Sequence, residues 1–245
     1  MLHIHSDDYG YKIYSDKKII QLIKNKRIKS VSVLSTMVGQ SSLKALKKQA
    51  GNNNHLHIGL HLNLIEGKSN SGKEFVPSLL SGKGNFYFLP VFLIRLFLKT
   101  INKDHLKREI EQQIDKLQKS GLSVNFIDSH QHVHALSPVA EILDEIVKEK
   151  KIKNIRTYNN IRTYTFIAKC KFLLLKLASV TSYYLEYGKL GLPSSWRGGH
   201  NIQYSIMSWE GGRLDFSKIT NKSLILVTHP FLPFDTNKSY ISFLI

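Results

Sequence analysis

Cysteine and acidic residues are both scarce in this chain of 245 residues. Its one cysteine, Cys170, cannot form an internal disulfide, and nothing indicates an oxidising compartment. Cys170 lies in an apolar helical pattern, so we expect it to fill space in the core.

Aspartate and glutamate total 18 against 35 lysines and arginines, which gives a formal net charge of +17. Most of this excess is lysine scattered along predicted helices, without basic runs that alternate with aromatics. We therefore expect no nucleic-acid partner, whereas an acidic glycan or an anionic membrane surface stays open.

Long hydrophobic runs are also missing. The most apolar segment, residues 86–98, is interrupted by Pro90 and Arg95 and is too short to span a bilayer, so we predict a buried helix there. The first predicted strand starts at Leu2 and leads directly into two aspartates, with no positively charged start and no apolar leader. The sequence therefore predicts no secretory signal and a cytoplasmic location.

Apolar periodicity predicts alternating strands and helices along the whole chain. Strands are predicted at residues 2–5, 31–37, 56–64, 124–128, 155–158 and 224–228. Helices are predicted from a Ser15 cap, at 41–50, around 106–117, at 139–148 and at 165–187. Repeated β-α-β units imply an α/β fold with a parallel sheet, open or closed into a barrel, and we find no linker that divides residues 1–245 into two domains. In either form, functional groups belong at the carboxyl ends of the strands.

The most informative segment runs from Asp128 through Ser-His-Gln-His-Val to His134 and follows an apolar run directly. Alternate residues of an extended chain share one face, so Asp128, His130, His132 and His134 would line one side of it. Burying four such groups without partners is costly, and they are expected to be paired, solvated or holding a metal. A histidine-rich surface turn is the alternative interpretation.

Two further polar clusters accompany the predicted strands. Asp7 and Asp8 end the first strand, and His61 lies late in the strictly alternating strand 56–64. Each has an ordinary explanation, since an Asp-Asp pair often forms a turn or helix cap and a single strand histidine is usually only hydrogen-bonded. His130 and His229 also follow strands directly. Because the carboxyl ends of parallel strands meet at one edge, the topology predicts one composite site.

On these motifs the chain resembles the YdjC-like carbohydrate deacetylase family, which includes chitooligosaccharide and hopanoid-pathway deacetylases. The matching stretches, in the family's order, are residues 5–10 (HSDDYG), 59–64 (GLHLNL), 76–80 (VPSLL), 128–134 (DSHQHVH) and 228–230 (THP). The resemblance implies a distorted or incomplete (β/α) barrel of mainly parallel strands, as in polysaccharide deacetylases. It also implies a hydrolase that removes N-acetyl groups from a sugar or oligosaccharide. One departure is Phe231, which stands where the family usually has glycine and would narrow the cleft.

The resemblance also implies roles for individual residues. Asp8, His61 and His130 would hold a divalent metal, Asp7 would be the general base, and His229 would be the histidine that protonates the departing sugar amine. The resemblance implies magnesium, whereas two nitrogens and one oxygen suit zinc or another transition metal better. Family members are often homodimers, and we expect the same here.

Other residues of the motifs are assigned supporting roles, and two other functions stay open. Asp128 is expected to orient a neighbouring imidazole through its other ring nitrogen, and His132 and His134 are expected to line the pocket or to support the ligands without binding the metal. A metal-dependent phosphoesterase on a related barrel would use similar clusters but needs more ligands, which His3, His5, His132 and His134 could supply. A non-catalytic basic protein that binds glycans or membrane surfaces is the other alternative.

Overall fold

A computed structural model describes residues 2–156, 161–162, 166–193, 205–208 and 224–228. Its strands are β1 Leu2–Tyr9, β2 Ser30–Val33, β3 His57–Leu62, β4 Phe126–Ser129, β5 Asn154–Ile155, β6 Ile161–Arg162, β7 Ser205–Ser208 and β8 Leu224–Thr228. These eight strands form one parallel sheet in the order β5-β4-β3-β2-β1-β8-β7-β6. This is the strand order of a (β/α) barrel opened between β5 and β6, which do not pair within the described residues. The predicted incomplete, mainly parallel barrel is confirmed.

Helices connect most of these strands, and α1 (Ile13–Lys24) and α4 (Lys103–Lys119) pack on the sheet. Helix α4 shows why the prediction worked: Leu106, Ile110, Ile114 and Leu117 recur on one face, and all four are fully buried. The Asn102 side chain caps it by accepting two backbone N–H groups. The helices are α1 Ile13–Lys24, α2 Gln40–Asn52, α3 Leu89–Phe97, α4 Lys103–Lys119, α5 Val139–Glu149 and α6 Phe166–Tyr187, with short 3₁₀ turns at Pro77–Leu79 and His130–Ala135.

Several predicted element boundaries differ from the structure, and two of them show the reason. The strand predicted at residues 31–37 ends at Val33, because Leu34 donates its N–H to the Tyr9 carbonyl and the chain then turns. Helix α1 begins at Ile13, so Ser15 lies buried within its first turn instead of capping it. Both errors arise because local composition does not show where tertiary contacts bend the chain.

Two predictions about buried residues are also wrong. Helix α3 buries Phe92 and Leu96, but Ile94 and the flanking Phe88 and Leu98 are more than half exposed. Cys170, expected in the core, is exposed as well. Among the described helices, none combines the length and the apolar character needed to cross a membrane.

Candidate metal and acid–base site

Three potential metal ligands converge at the carboxyl edge of the sheet. Asp8 is near the end of β1, His61 is near the end of β3, and His130 directly follows β4. Asp8 Oδ1 lies 3.1 Å from both His61 Nε2 and His130 Nδ1. One donor atom from each residue lies within 4.8 Å of the others. The parallel sheet therefore brings together the three residues that the sequence analysis grouped.

An irregularity in β1 explains how two adjacent aspartates can both serve this site. Successive strand residues normally point to opposite faces. The register between β1 and β2 shifts between Ser6 and Tyr9, and Asp8 has a φ of 62° in the left-handed region that Asp tolerates. A bulge of this kind re-aims side chains. Asp16 fixes the chain just beyond it, since its Oδ1 accepts the Gly10 N–H at 2.7 Å.

Asp128 orients the His61 ring, as expected for a neighbouring imidazole. Its Oδ1 lies 2.6 Å from His61 Nδ1. When this carboxylate accepts the Nδ1–H, Nε2 is the ring nitrogen that can bind a metal beside Asp8, the arrangement found for histidine ligands of metals. Burial lowers the pKa of His61, but the charges of Asp128 and Asp8 outweigh burial and raise this pKa well above its usual value.

Asp7 belongs to a second buried group centred on Arg156. The guanidinium donates from Nη1 to Asp7 Oδ2 at 2.9 Å and from Nη2 to Oδ1 at 2.7 Å. Its Nη2 also lies 2.5 Å from Asp128 Oδ2, and His5 Nε2 lies 2.7 Å from Asp7 Oδ1. Burial raises the pKa of Asp128, but the adjacent Arg156 charge outweighs it and holds this pKa well below its usual range.

The sequence analysis missed Arg156. It directly follows β5, which is only two residues long, and a single arginine after so short a strand forms no motif. Its partner Asp7 is 149 positions away in the chain. The strand predicted at residues 155–158 contained Arg156, whereas β5 ends at Ile155 and leaves Arg156 at the carboxyl end, where functional groups collect.

Ser32 and Asp128 join the two groups into one network. The Ser32 hydroxyl lies 3.2 Å from Asp7 Oδ1 and 3.2 Å from His61 Nδ1. Asp128 contacts His61 with one oxygen and Arg156 with the other. The candidate metal ligands and the candidate base are therefore held in fixed positions relative to each other.

The histidine-rich segment does not continue as a strand, so the prediction that its alternate residues share one face is wrong. Strand β4 ends at Ser129, and Gln131 and His132 adopt φ values of 47° and 62° within a 3₁₀ turn. As a result His130 contacts Asp8, His132 is exposed, and His134 is fully buried.

His134 supports the backbone of Arg156. Its Nδ1 accepts a hydrogen bond from the Ser129 hydroxyl, and its Nε2 lies 3.1 Å from the Arg156 carbonyl oxygen. Burial and the nearby positive charges of His132 and Arg156 lower the pKa of His134 to about 3.

We expect His134 to make unfolding depend on pH between about 6.5 and about 3. In this window the unfolded chain binds a proton at His134 and the folded chain does not, so the free energy of unfolding falls as pH falls. A shift of this size corresponds to on the order of 5 kcal/mol. Urea unfolding across this range should show a flatter pH profile for His134→Gln, whose amide can still donate to Arg156. An identical slope in both proteins would contradict the assignment.

The donor set at Asp8, His61 and His130 fits a divalent cation. Two imidazole nitrogens and one carboxylate oxygen are a common ligand combination, and the Asp128 contact holds one of the rings in place. A second cluster, His5, Asp7 and Asp128, does not fit, because the Arg156 guanidinium already supplies positive charge to both of its carboxylates.

His229, the remaining predicted site residue, lies outside the described residues. The strand that precedes it is described: Thr228, the last residue of β8, pairs with Ser6 in β1.

Comparisons with known proteins support a family assignment. A protein from Xenopus laevis named carbohydrate deacetylase is 26% identical over 260 residues, which cover 95% of this chain and 81% of that protein. One from Oceanobacillus iheyensis with the same name is 29% identical and covers 66% of this chain and 67% of its own. A solved structure from Enterococcus faecalis V583, described as a candidate cellobiose-phosphate cleavage protein, has the same fold, with a TM-score of 0.60 at 21% identity over 94% of this chain and 80% of that one. The model of the YdjC-like protein family matches residues 1–229. The resemblance is thus confirmed, and the chain belongs to the YdjC-like protein family.

Proposed function

We propose that this chain is a metal-dependent hydrolase that removes N-acetyl groups from an acetylated carbohydrate. The observation that carries the proposal is the convergence of Asp8, His61 and His130 beside the Asp7–Arg156 pair in one buried network. Relatives from Xenopus laevis and Oceanobacillus iheyensis that are named carbohydrate deacetylases support the choice of substrate class. An N-acetylated sugar or oligosaccharide is therefore the proposed substrate.

Asp8, His61 and His130 are the residues that would hold the metal. A divalent cation bound there supplies polarisation of a carbonyl group and activation of water near neutral pH. The family resemblance favours magnesium. The two nitrogen donors favour zinc or another transition metal, because magnesium prefers oxygen ligands and retained waters.

Asp7 is the proposed proton acceptor. The Arg156 guanidinium favours the anionic form of its carboxylate, which is the form able to take a proton. Both oxygens accept hydrogen bonds from Arg156, and Oδ1 also accepts one from Ser32 and contacts His5, so the carboxylate is held in a fixed orientation. Asp8 would stay ionised as a metal ligand, which divides the roles of the two adjacent aspartates.

His229 is the proposed proton donor, on the family resemblance alone. The amide nitrogen of the substrate is a poor leaving group unless it gains a proton as the C–N bond breaks. An imidazolium is a suitable donor for this step near neutral pH. The single domain over residues 1–245, the homodimer and the cytoplasmic location likewise stay predictions.

The phosphoesterase alternative needs further ligands, and the described histidines supply few. His5 is engaged by Asp7 and Ser30, His134 is engaged by Ser129, and His132 is exposed. Within the described residues, the geometry supports one metal per chain more than two.

Acetate release from a panel of N-acetylated sugars and oligosaccharides, with and without a chelator, tests the proposal. We expect release that the chelator abolishes and added metal restores, with about one metal per chain. Two or more metals with phosphoester hydrolysis would favour the phosphoesterase. Salt-sensitive binding to anionic glycans or lipids without acetate release would favour the non-catalytic binding protein.

A further inference from the structure

Glu66 lies at the edge of the site, and neither the motifs nor the proposed mechanism uses it. Its Oε2 is 3.1 Å from His130 Nε2, and its Oε1 accepts a hydrogen bond from the Tyr11 hydroxyl at 3.1 Å. His130 therefore lies between two carboxylates, with Asp8 on its other ring nitrogen. Glu66 therefore contacts one of the three candidate metal ligands directly.

Exposure separates Glu66 from the other carboxylates of the site. The Glu66 side chain is 41% exposed, whereas those of Asp7, Asp8 and Asp128 are at most 4% exposed. Among these four carboxylates, Glu66 is the one that a bound substrate can contact without rearrangement of the buried network.

The backbone of Glu66 is held rigidly. The buried Asn63 side chain accepts the N–H groups of Ile65 and Glu66 at 3.2 and 3.1 Å and donates to the Glu66 carbonyl at 2.7 Å. Gln113 of helix α4 in turn bonds both the N–H and the carbonyl of Asn63. A fully buried polar framework of this kind fixes a functional side chain before the ligand arrives.

We propose that Glu66 determines substrate specificity by accepting a hydrogen bond from a sugar hydroxyl on a carbon next to the one that carries the acetamido group. This inference rests on the proposed deacetylation. An ionised carboxylate only accepts hydrogen bonds, and each oxygen can accept more than one, so a hydroxyl donor suits it. Because Glu66 contacts His130, it can reach only the part of the sugar beside the reacting amide. Hydrogen bonds to charged groups contribute about 1.5–3 kcal/mol, equivalent to roughly 10–150-fold in kcat/KM.

The test compares Glu66→Gln with the wild type on an N-acetylated sugar and on two deoxy analogues, each lacking one of the hydroxyls beside the acetamido carbon. Glu74→Gln, a change in the same loop at an exposed position, is the matched control. We expect Glu66→Gln to lower kcat/KM for the complete sugar roughly 10- to 100-fold, mainly through KM. For the analogue that lacks the contacted hydroxyl, we expect the two proteins to agree within about twofold. Both variants should bind as much metal as the wild type, and Glu74→Gln should also retain wild-type activity.

The outcomes are distinguishable. An equal loss on all three substrates, no loss on any, or a loss of bound metal in Glu66→Gln would overturn the inference, the last by showing that Glu66 acts only through His130. A wild-type protein that loads metal but releases no acetate from any N-acetylated sugar would overturn the proposed function, and this assignment with it.

Discussion

His61→Ala is expected to abolish metal binding and acetate release together. The substitution removes one of three potential ligands and takes away the imidazole that contacts Oδ1 of the buried Asp128. Loss of a partner that merely orients a ligand costs 10- to 100-fold in metal affinity, so loss of a ligand should cost more than about 100-fold. Metal per chain after dialysis and acetate release with a working sugar are the two measurements. His130→Ala should behave in the same way.

His57→Ala provides the matched control for these ligand variants. It removes an imidazole from the same strand, β3, but from an exposed position. We expect its metal content and activity to equal those of the wild type. If His61→Ala retained both bound metal and full activity while remaining folded, the ligand assignment would be wrong.

Asp7→Asn should leave metal binding intact and reduce turnover by roughly 10²-fold or more, the usual cost of a lost acid–base group. The amide preserves the shape of the side chain but cannot serve as the proton acceptor that we assign to Asp7. The contrast between the two variants is informative, because His61→Ala should lose activity together with its metal, whereas Asp7→Asn should lose activity while it still binds metal. Full turnover by Asp7→Asn would remove Asp7 from the mechanism.

Stability must be controlled in the Asp7→Asn experiment. Arg156 pairs with both Asp7 and Asp128, and removal of one partner of a buried ion pair leaves charge that is poorly compensated. We therefore expect a lower free energy of unfolding for this variant. Turnover should be compared at temperatures well below the unfolding midpoint, with saturating metal, so that the loss of activity reports chemistry and not unfolding.

The order of strands and helices could be predicted because apolar periodicity is a local property. Helix α4 shows this, since the apolar side chains that recur at helical spacing in the sequence are those that are buried in the structure. The expectation of one composite site followed from a rule of topology, that the carboxyl ends of parallel strands meet at one edge, whereas the choice of Asp8, His61 and His130 as metal ligands came from the family resemblance. No precise geometry was needed for either prediction.

The failures share a different cause. The left-handed backbone at Gln131 and His132 turns the chain immediately after β4, and no residue there is a glycine that would have indicated such a turn. The arrangement follows from tertiary contacts, in which His130 reaches Asp8 while His134 reaches the Arg156 carbonyl.

The amino-acid sequence was sufficient for the α/β class, the approximate element order and the strand ends where chemistry would collect. These depend on side-chain periodicity and on residue types within a few positions of each other. Only the tertiary structure showed that Arg156 contacts Asp7 and that Glu66 contacts His130. The two residues of these pairs are 149 and 64 positions apart in the chain. Electrostatic partners at such separations are set by where the sheet places the backbone, and a lone charged residue in a loop carries no local pattern that shows it.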